Sequence, residues 1–477
     1  MAFFRGIESK YTVQQIGMRA VPEAVLGIVG TAPIHHCLPG NRSINAIKIV
    51  NSDELGRSLF GPDIDGYTIP MAVTINSLEE GPLMLAINVF DPDVHFTVVP
   101  STPVTLDAMG RAQLAVKDWI TATVTNADAS VTYVEGSDYS LDKVTGLLKR
   151  LPTATFLPGA ALKISGRRGD PSKVTSADIV GAVSVAGFRT GIQLWRTAFQ
   201  DLGFYPTDLV APTYESLPSV RVALEAQANT ILAIAHCQMP AGLTVQDALS
   251  SRGPSGPANF QVGSDRVKIF MPHYQSPRAD GTSRLVPLSL GYACVFGRTI
   301  MDEGFWNTGS NRPLRSAVGL ERPITFGAET DDANLLNAAG ISTVRSNWGS
   351  SIHTWGPSTS AFPDLTDPVQ FDCIRRFYDI VDRRIALTLL QYIDRPLTPA
   401  LVEIIVGTIN DFYAGLVQKG ALISGSCRFD PADNPAEALA QGWFTTRDDL
   451  APPPPFQRLT RKYRYDRQAL QAAFAAI

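Results

Sequence analysis

The pattern of hydrophobic and polar positions predicts alternating strands and helices over much of the chain. Short apolar runs such as "VLGIVG" and "PLMLAINVF" are typical of buried strands, and "SDELGRSLF" between them is typical of a helix. Further on, "SVRVALEAQANTILAIAHC" predicts a helix followed by a strand, and "DRVKIFMPHY" predicts another strand. This repetition indicates an α/β fold in which helices surround a mainly parallel sheet.

Two segments depart from this alternation. Residues 95–175 are rich in Thr, Val and Tyr with frequent turns, as in "VTYVEGSDYSLDKVTGLLKRL", which predicts a small inserted β domain. From Phe371 to Ile393 apolar residues recur every three or four positions, which predicts an amphipathic helix whose charged residues mostly occupy the other faces. Thr398 and Pro399 can begin a second helix that Gly420 ends.

The length of 477 residues agrees with several domains, because single cores stop growing at about 250–300 residues. The predicted organisation is an N-terminal arm (1–22), the first part of the α/β domain (23–94), the inserted β domain (95–175), the rest of the α/β domain (176–365), an α+β C-terminal domain (366–455) and a C-terminal arm with a strand and a short helix (456–477).

The C-terminal arm alternates like a strand from Phe456 to Tyr465, yet no second strand follows it. Four prolines, Pro452 to Pro455, precede it and favour a stiff extended spacer. Its basic residues are Arg458, Arg461, Lys462, Arg464 and Arg467. The basic character suggests nucleic acid, whereas the strand pattern suggests pairing with another chain.

Composition weighs against several classes of protein. A net charge of −4 and a pI near 5.9 argue against a dedicated nucleic-acid binder, so the basic C-terminus is a local feature. We find neither an apolar core of signal-peptide length nor an apolar run near the ~18 residues that span a membrane. The expectation is a chain folded in a cytoplasm, without a membrane partner.

Candidate chemistry is sparse. His35 and His36 lie between Pro33 and Pro39, which favours a loop over a metal site. His236 and Cys237 follow a probable parallel strand, but adjacent strand residues face opposite sides, so a structural histidine is favoured over a Cys/His dyad. We expect no catalytic residues, no metal and no cofactor.

The five cysteines are scattered without a CxxC pair, which favours buried thiols over a zinc site or a disulfide framework. Cys37, in its proline-flanked loop, and Cys427, near a C-terminal turn, are the candidates for exposed thiols that could link neighbouring subunits.

Several stretches in a shared order resemble the contractile-tail sheath proteins of tailed bacteriophages and tailocins. They are "VLGIVGTAP", "GSDYSLDKVTGLLKRL", "LVPLSLGYACVFGRTIMDEGFWNTGSNRPLRSAVGLERPITF", "AAGISTVRSNWGSSIHTWGPST", "FDCIRRFYDIVDRRIALTLLQYIDRP" and the proline-led final strand. The resemblance spans nearly the whole chain and implies an α/β domain that is subtilisin-like in fold only.

The resemblance also implies a function. Such a subunit polymerises helically around a tail tube and contracts to drive the tube through the host envelope, and its terminal arms add strands to neighbouring subunits. The arm residues implied here are Ile7, Tyr11, Val13 and Ile16 at the N-terminus, and Phe456, Leu459, Tyr463 and Tyr465 at the C-terminus. The implied partners are further copies of the chain and the tube, baseplate and tail terminator proteins, with no direct nucleic-acid contact. The implied location is the virion tail sheath, after assembly in the host cytoplasm.

Two alternatives stay open at this point. The basic C-terminal strand could clamp nucleic acid, with an affinity that falls steeply with salt. The α/β domain could instead be a hydrolase that depends on His236 or Cys237.

Overall fold

The first part of the α/β layer is built from short apolar strands, in a computed structural model that describes residues 18–346 and 351–475. Its elements are β1 (Val25–Gly30), β2 (Ile47–Val50), α1 (Asp53–Phe60), α2 (Thr68–Leu78) and β3 (Leu83–Asn88). All six residues of β1 are buried, and β1 pairs in parallel with β3. Helix α1 begins after Ser52, whose side chain accepts a hydrogen bond from the Leu55 backbone.

A unit of seven strands follows, which we call the inserted unit (residues 95–175). Its strands are β4 (Phe96–Thr105), β5 (Arg111–Gln113), β6 (Trp119–Asn126), β7 (Thr132–Tyr133), β8 (Tyr139–Asp142), β9 (Leu147–Arg150) and β10 (Ala161–Gly169). They form two small sheets, ordered β4-β10-β6-β7 and β5-β9-β8, with antiparallel pairing throughout. Trp119, Tyr139 and Ile164 belong to a hydrophobic cluster that is separate from the main core.

The chain then returns to the α/β layer. The elements are α3 (Ser176–Val180), α4 (Ala198–Leu202), β11 (Asp208–Val210), α5 (Pro218–Ile231), β12 (Ile234–Gln238), α6 (Val245–Ser251), β13 (Val267–Phe270), β14 (Tyr274–Pro277), β15 (Ser283–Val286), α7 (Leu288–Glu303), β16 (Gly319–Leu320), α8 (Asp332–Ala338), β17 (Ile341–Ser346) and β18 (Ile352–Trp355).

The two parts of the layer share one eight-stranded sheet, ordered β18-β17-β13-β12-β11-β1-β3-β2. The inner neighbours pair in parallel, whereas the edge strands β2 and β18 are antiparallel to their neighbours. The mixed α/β architecture with a mainly parallel sheet therefore agrees with the sequence pattern. Helix α7 is buried from Leu288 to Ile300, which makes it the most enclosed helix against this sheet.

The C-terminal unit (residues 366–455) combines helices with a two-stranded sheet. Its elements and those of the terminal arm are α9 (Asp372–Leu389), α10 (Pro399–Gln418), β19 (Ser424–Phe429), α11 (Ala436–Ala440), β20 (Thr446–Ala451) and α12 (Arg467–Phe474). The Thr398 side chain accepts a hydrogen bond from the Leu401 backbone and caps α10, as the sequence predicts. β19 and β20 pair antiparallel, and α10 packs on β19.

Helix α10 is unusually apolar for its position. By length and composition alone it could cross a membrane, a property that the sequence analysis missed, and only 22% of its apolar window is buried. Glu403 and Asp411 interrupt the apolar surface. Ile404 and Val417 are the large apolar side chains of α10 that stay exposed in the described part of the chain.

Candidate assembly elements

The C-terminal arm leaves the fold as an extended, exposed segment. Residues 452–466 have no regular secondary structure, and every described residue from 456 to 475 is exposed. Phe456 and Leu459 are 83% and 69% exposed, and Tyr463 and Tyr465 are 78% and 71% exposed. Large apolar side chains seldom stay this exposed over a contiguous stretch unless they contact another molecule. The strand expected here would need such a partner, and its pairing stays a prediction.

The basic residues of the arm make few contacts within the chain. Arg458 pairs with Glu329 at 3.1 Å, but both side chains are exposed, so the pair adds little stability. Arg461 lies over the ring of Tyr463 at 4.8 Å. Lys462 and Arg464 are exposed, as is Arg467 at the start of α12. Weak contacts of this kind leave the arm free to contact another chain.

The root of the arm crosses a cleft of about 980 Å³. Residues 453–458 line one side of it, and Trp306, Asn311, Trp355 and Gly420 line others. The proline spacer therefore directs the arm across the molecule and not straight into solvent.

The N-terminal arm residues Ile7, Tyr11, Val13 and Ile16 lie outside the described residues. Close to the start of the described chain, the Arg19 backbone donates a hydrogen bond to Thr388 Oγ1 at 2.9 Å. Nearby, Glu23 and Arg384 form a partly buried ion pair. The chain thus enters the described fold beside α9, next to the C-terminal unit.

The expectation of exposed thiols is wrong. Cys37, which follows the 3-10 turn Ile34–His36, is 6% exposed, and Cys427, which lies in β19, is 4% exposed. Burial raises the pKa of the Cys37 thiol to about 11 and that of Cys427 to about 12. Both are therefore inert thiols near neutral pH, and we do not carry the intersubunit link forward.

His236 belongs to a buried charge network. Its Nε2 lies 2.8 Å from Asp208 Oδ1, and the same oxygen accepts a hydrogen bond from Arg376 Nη2 at 2.7 Å. Burial also raises the pKa of Cys237 far above its ordinary value. A thiol that stays protonated beside a histidine engaged with a carboxylate is not an activated nucleophile. This geometry removes the support for a hydrolase.

The charged residues on α9 have a structural role that the periodicity of the sequence did not indicate. Arg376 and Asp379 are buried against the sheet and do not lie on a solvated face. Asp379 forms an ion pair with Arg266, with 2.8 Å between the nitrogen and oxygen atoms. Asp372 likewise forms an ion pair with Lys268, whose Nζ lies 3.0 Å from Asp372 Oδ2. One signal was available in the sequence: a charged residue such as Lys268 in "VKIF" lies inside an otherwise apolar strand. A buried charge of this kind needs a partner of opposite charge.

Comparison with known proteins places these features in one family. No protein-family model matches the chain. The tail sheath protein of Burkholderia phage BcepMu is 38% identical over 448 residues, which cover 93% of this chain and 92% of that protein. The major tail sheath protein of Serratia phage KSP20 is 28% identical over 312 residues, covering 65% of this chain and 76% of that protein.

The fold has a counterpart among solved structures. The helical sheath of the anti-feeding prophage in its contracted state superposes with a TM-score of 0.59 at 15% identity, covering 98% of this chain and 100% of that chain. The fold likeness agrees with the sequence relationship to the BcepMu protein, which extends over almost the full length of both chains. The chain therefore belongs to the family of contractile tail sheath proteins, which are structural proteins and not enzymes.

Proposed function

We propose that the chain is the subunit of a phage tail sheath that polymerises helically around a tail tube and contracts to drive the tube through the host envelope. The observation that carries this proposal is the C-terminal arm, whose described residues 456–475 are all exposed although they include Phe456, Leu459, Tyr463 and Tyr465. An arm whose apolar side chains stay largely exposed in the described structure is suited to bury them in an assembly.

The arm is proposed to add a strand to a neighbouring subunit. β19 and β20 form a two-stranded sheet, and an isolated pair of strands gains stability when further strands join it. The N-terminal residues Ile7 to Ile16 are proposed to join in the same way, since the chain enters beside α9 at Arg19. The basic residues of the C-terminal arm would then discourage indiscriminate pairing of an edge strand.

The C-terminal unit is proposed to face the tail tube. Its helix α10 is apolar but little buried, and Ile404 is 48% exposed while Ile393 just before the helix is 64% exposed. Exposed apolar side chains of this kind support a contact with another protein. The baseplate and tail terminator proteins are the proposed partners at the two ends of the assembly. The likeness of the α/β domain to subtilisin and the assembly in the host cytoplasm are part of the same proposal.

The test is the removal of residues 456–477. This variant should stay folded, with an unchanged circular dichroism spectrum, because the described part of the deleted segment is exposed throughout. It should sediment as a monomer under conditions in which the full chain forms large assemblies.

The matched control removes only residues 467–477, which include α12 but leave the strand-like segment intact. This control should still assemble. Assembly of the variant that lacks residues 456–477 at the level of the full chain would contradict the proposal.

A further inference from the structure

Three polar side chains meet in a buried cluster that the assembly elements do not use. His35 and His36 lie in a short 3-10 turn, Ile34–His36, and point their Nε2 atoms at Asp118 Oδ1, at 2.7 and 2.8 Å. The three potential ligand atoms lie within 4.8 Å of one another. The side chains are only 4%, 7% and 8% exposed. The loop expected here from the sequence therefore carries two histidines that contact Asp118 of the inserted unit.

The position of the Asp118 carboxylate is fixed by its surroundings. The backbone of Asp118 lies in the left-handed region, with φ at 60°, just before β6. Gly169 passes so close that a Cβ there would collide with the carboxylate. The Tyr67 hydroxyl donates a hydrogen bond to Oδ2 at 2.7 Å, which leaves Oδ1 directed at the two imidazoles.

The charge of this carboxylate is not matched by a buried cation. Among residues 18–346 and 351–475, the ion-pair partners of Asp118 are His35 and His36. Arg42 donates to the carbonyls of His35 and Cys37. A buried carboxylate that pairs with no Lys or Arg side chain in the described part of the chain is a favourable place for a cation.

We propose that His35, His36 and Asp118 bind a divalent transition-metal ion of the Zn²⁺ type. Two imidazole nitrogens and one carboxylate oxygen are a donor set that such ions favour, with water in the remaining position. Tyr67 would orient the carboxylate from the outer shell.

Metal binding needs a tautomer change at His35, in which a bond from Nε2 to the ion replaces the hydrogen bond between Nε2 and Asp118 Oδ1. Each imidazole must direct its Nε2 lone pair at the ion and carry its proton on Nδ1. The Nδ1 atom of His35 is buried and has no hydrogen-bond partner among the described residues, so no bond at Nδ1 has to break when the proton moves there. The bound ion would tie the turn Ile34–His36 of the first part to Asp118 of the inserted unit.

The test is a titration of the full chain, produced without a histidine tag and first treated with a chelator. Co²⁺ serves as the optical probe and Zn²⁺ as the calorimetric probe. The expected result is one ion per chain, a visible Co²⁺ d–d band that Zn²⁺ abolishes, and a higher melting temperature with Zn²⁺.

His36→Gln and Asp118→Asn should each weaken binding at least about tenfold. His353→Gln, at a histidine of β18 outside the cluster, should bind like the unchanged chain. The unchanged chain is decisive even if a variant fails to fold. The absence of a saturable heat and of a d–d band would overturn the proposal, as would wild-type affinity in folded His36→Gln.

Discussion

At the scale of single residues, paired charges hold α9 against the central sheet. Arg376 from the helix meets Asp208 from β11 at 2.7 Å, and Asp372 meets Lys268 from β13 at 3.0 Å. Removing one partner of such a buried pair leaves an uncompensated charge, which costs about 3–5 kcal/mol. These pairs therefore fix where the C-terminal unit sits on the α/β layer.

Buried Glu215 differs from these residues because it has no cationic partner among its described hydrogen bonds. Its Oε1 accepts a hydrogen bond from Ser289 Oγ at 2.6 Å, and its Oε2 is without a partner. Burial raises the pKa of Glu215 from 4.5 to about 8. Between these values the folded chain binds more protons than the unfolded chain, so its stability falls as the pH rises, by up to about 1.4 kcal/mol per pH unit.

We expect Glu215→Gln to remove this contribution to the pH dependence. The amide resembles the protonated acid but cannot ionise, so the variant should be more stable than the unchanged chain at pH 8, with a smaller difference at pH 5.5. Urea unfolding at both pH values measures this, with Glu403→Gln on the exposed side of α10 as control. A variant destabilised equally at both pH values would contradict the assignment.

The burial of individual polar residues was the hardest property to predict from the sequence. The periodicity of α9 identifies its apolar stripe, but it cannot show that a second element covers Arg376 and Asp379 as well. The cluster of His35, His36 and Asp118 joins residues more than eighty positions apart, and local spacing carries no signal for such a contact.

At the scale of elements, strong periodicity made prediction effective. β1, α5 with β12, and α10 occur where the apolar patterns and the Thr398 cap place them. The segment 176–202 is not one continuous helix. It is divided into α3, a 3-10 stretch over Gly191–Thr197 and α4, because Gly181 has φ at 68° and a bridge joins Val183 to Arg189.

The terminal arm offers a test at this scale. Strand addition depends on backbone N–H groups, and consecutive residues direct theirs to opposite sides. We expect that Thr460→Pro or Arg461→Pro, whichever removes the bonded N–H, raises the concentration needed for assembly about tenfold or more, or about 1.4 kcal/mol. Light scattering against concentration measures this.

Thr460→Ala and Arg461→Ala are the matched controls, because they shorten the side chains and keep both N–H groups. They should assemble at nearly the concentration of the unchanged chain. If both proline variants assemble like their alanine counterparts, the arm does not act as an added strand.

At the scale of the whole molecule, the fold is closed at its centre and open at its ends. The α/β layer and the inserted unit each enclose a hydrophobic core, whereas the C-terminal arm and the face of α10 stay exposed. The sequence could predict the exposed arm, because the arm alternates like a strand and no second strand follows it, but it did not indicate the exposed side chains of α10. It could not predict which neighbour supplies the partner, since that depends on the geometry of an assembly.

The most direct measurement is electron cryo-microscopy of the assembled full chain. The account predicts hollow helical tubes in which residues 456–465 of each subunit form a strand hydrogen-bonded to a sheet of its neighbour. Tubes in which this segment pairs with no other subunit, or a chain that stays monomeric under all assembly conditions, would contradict it.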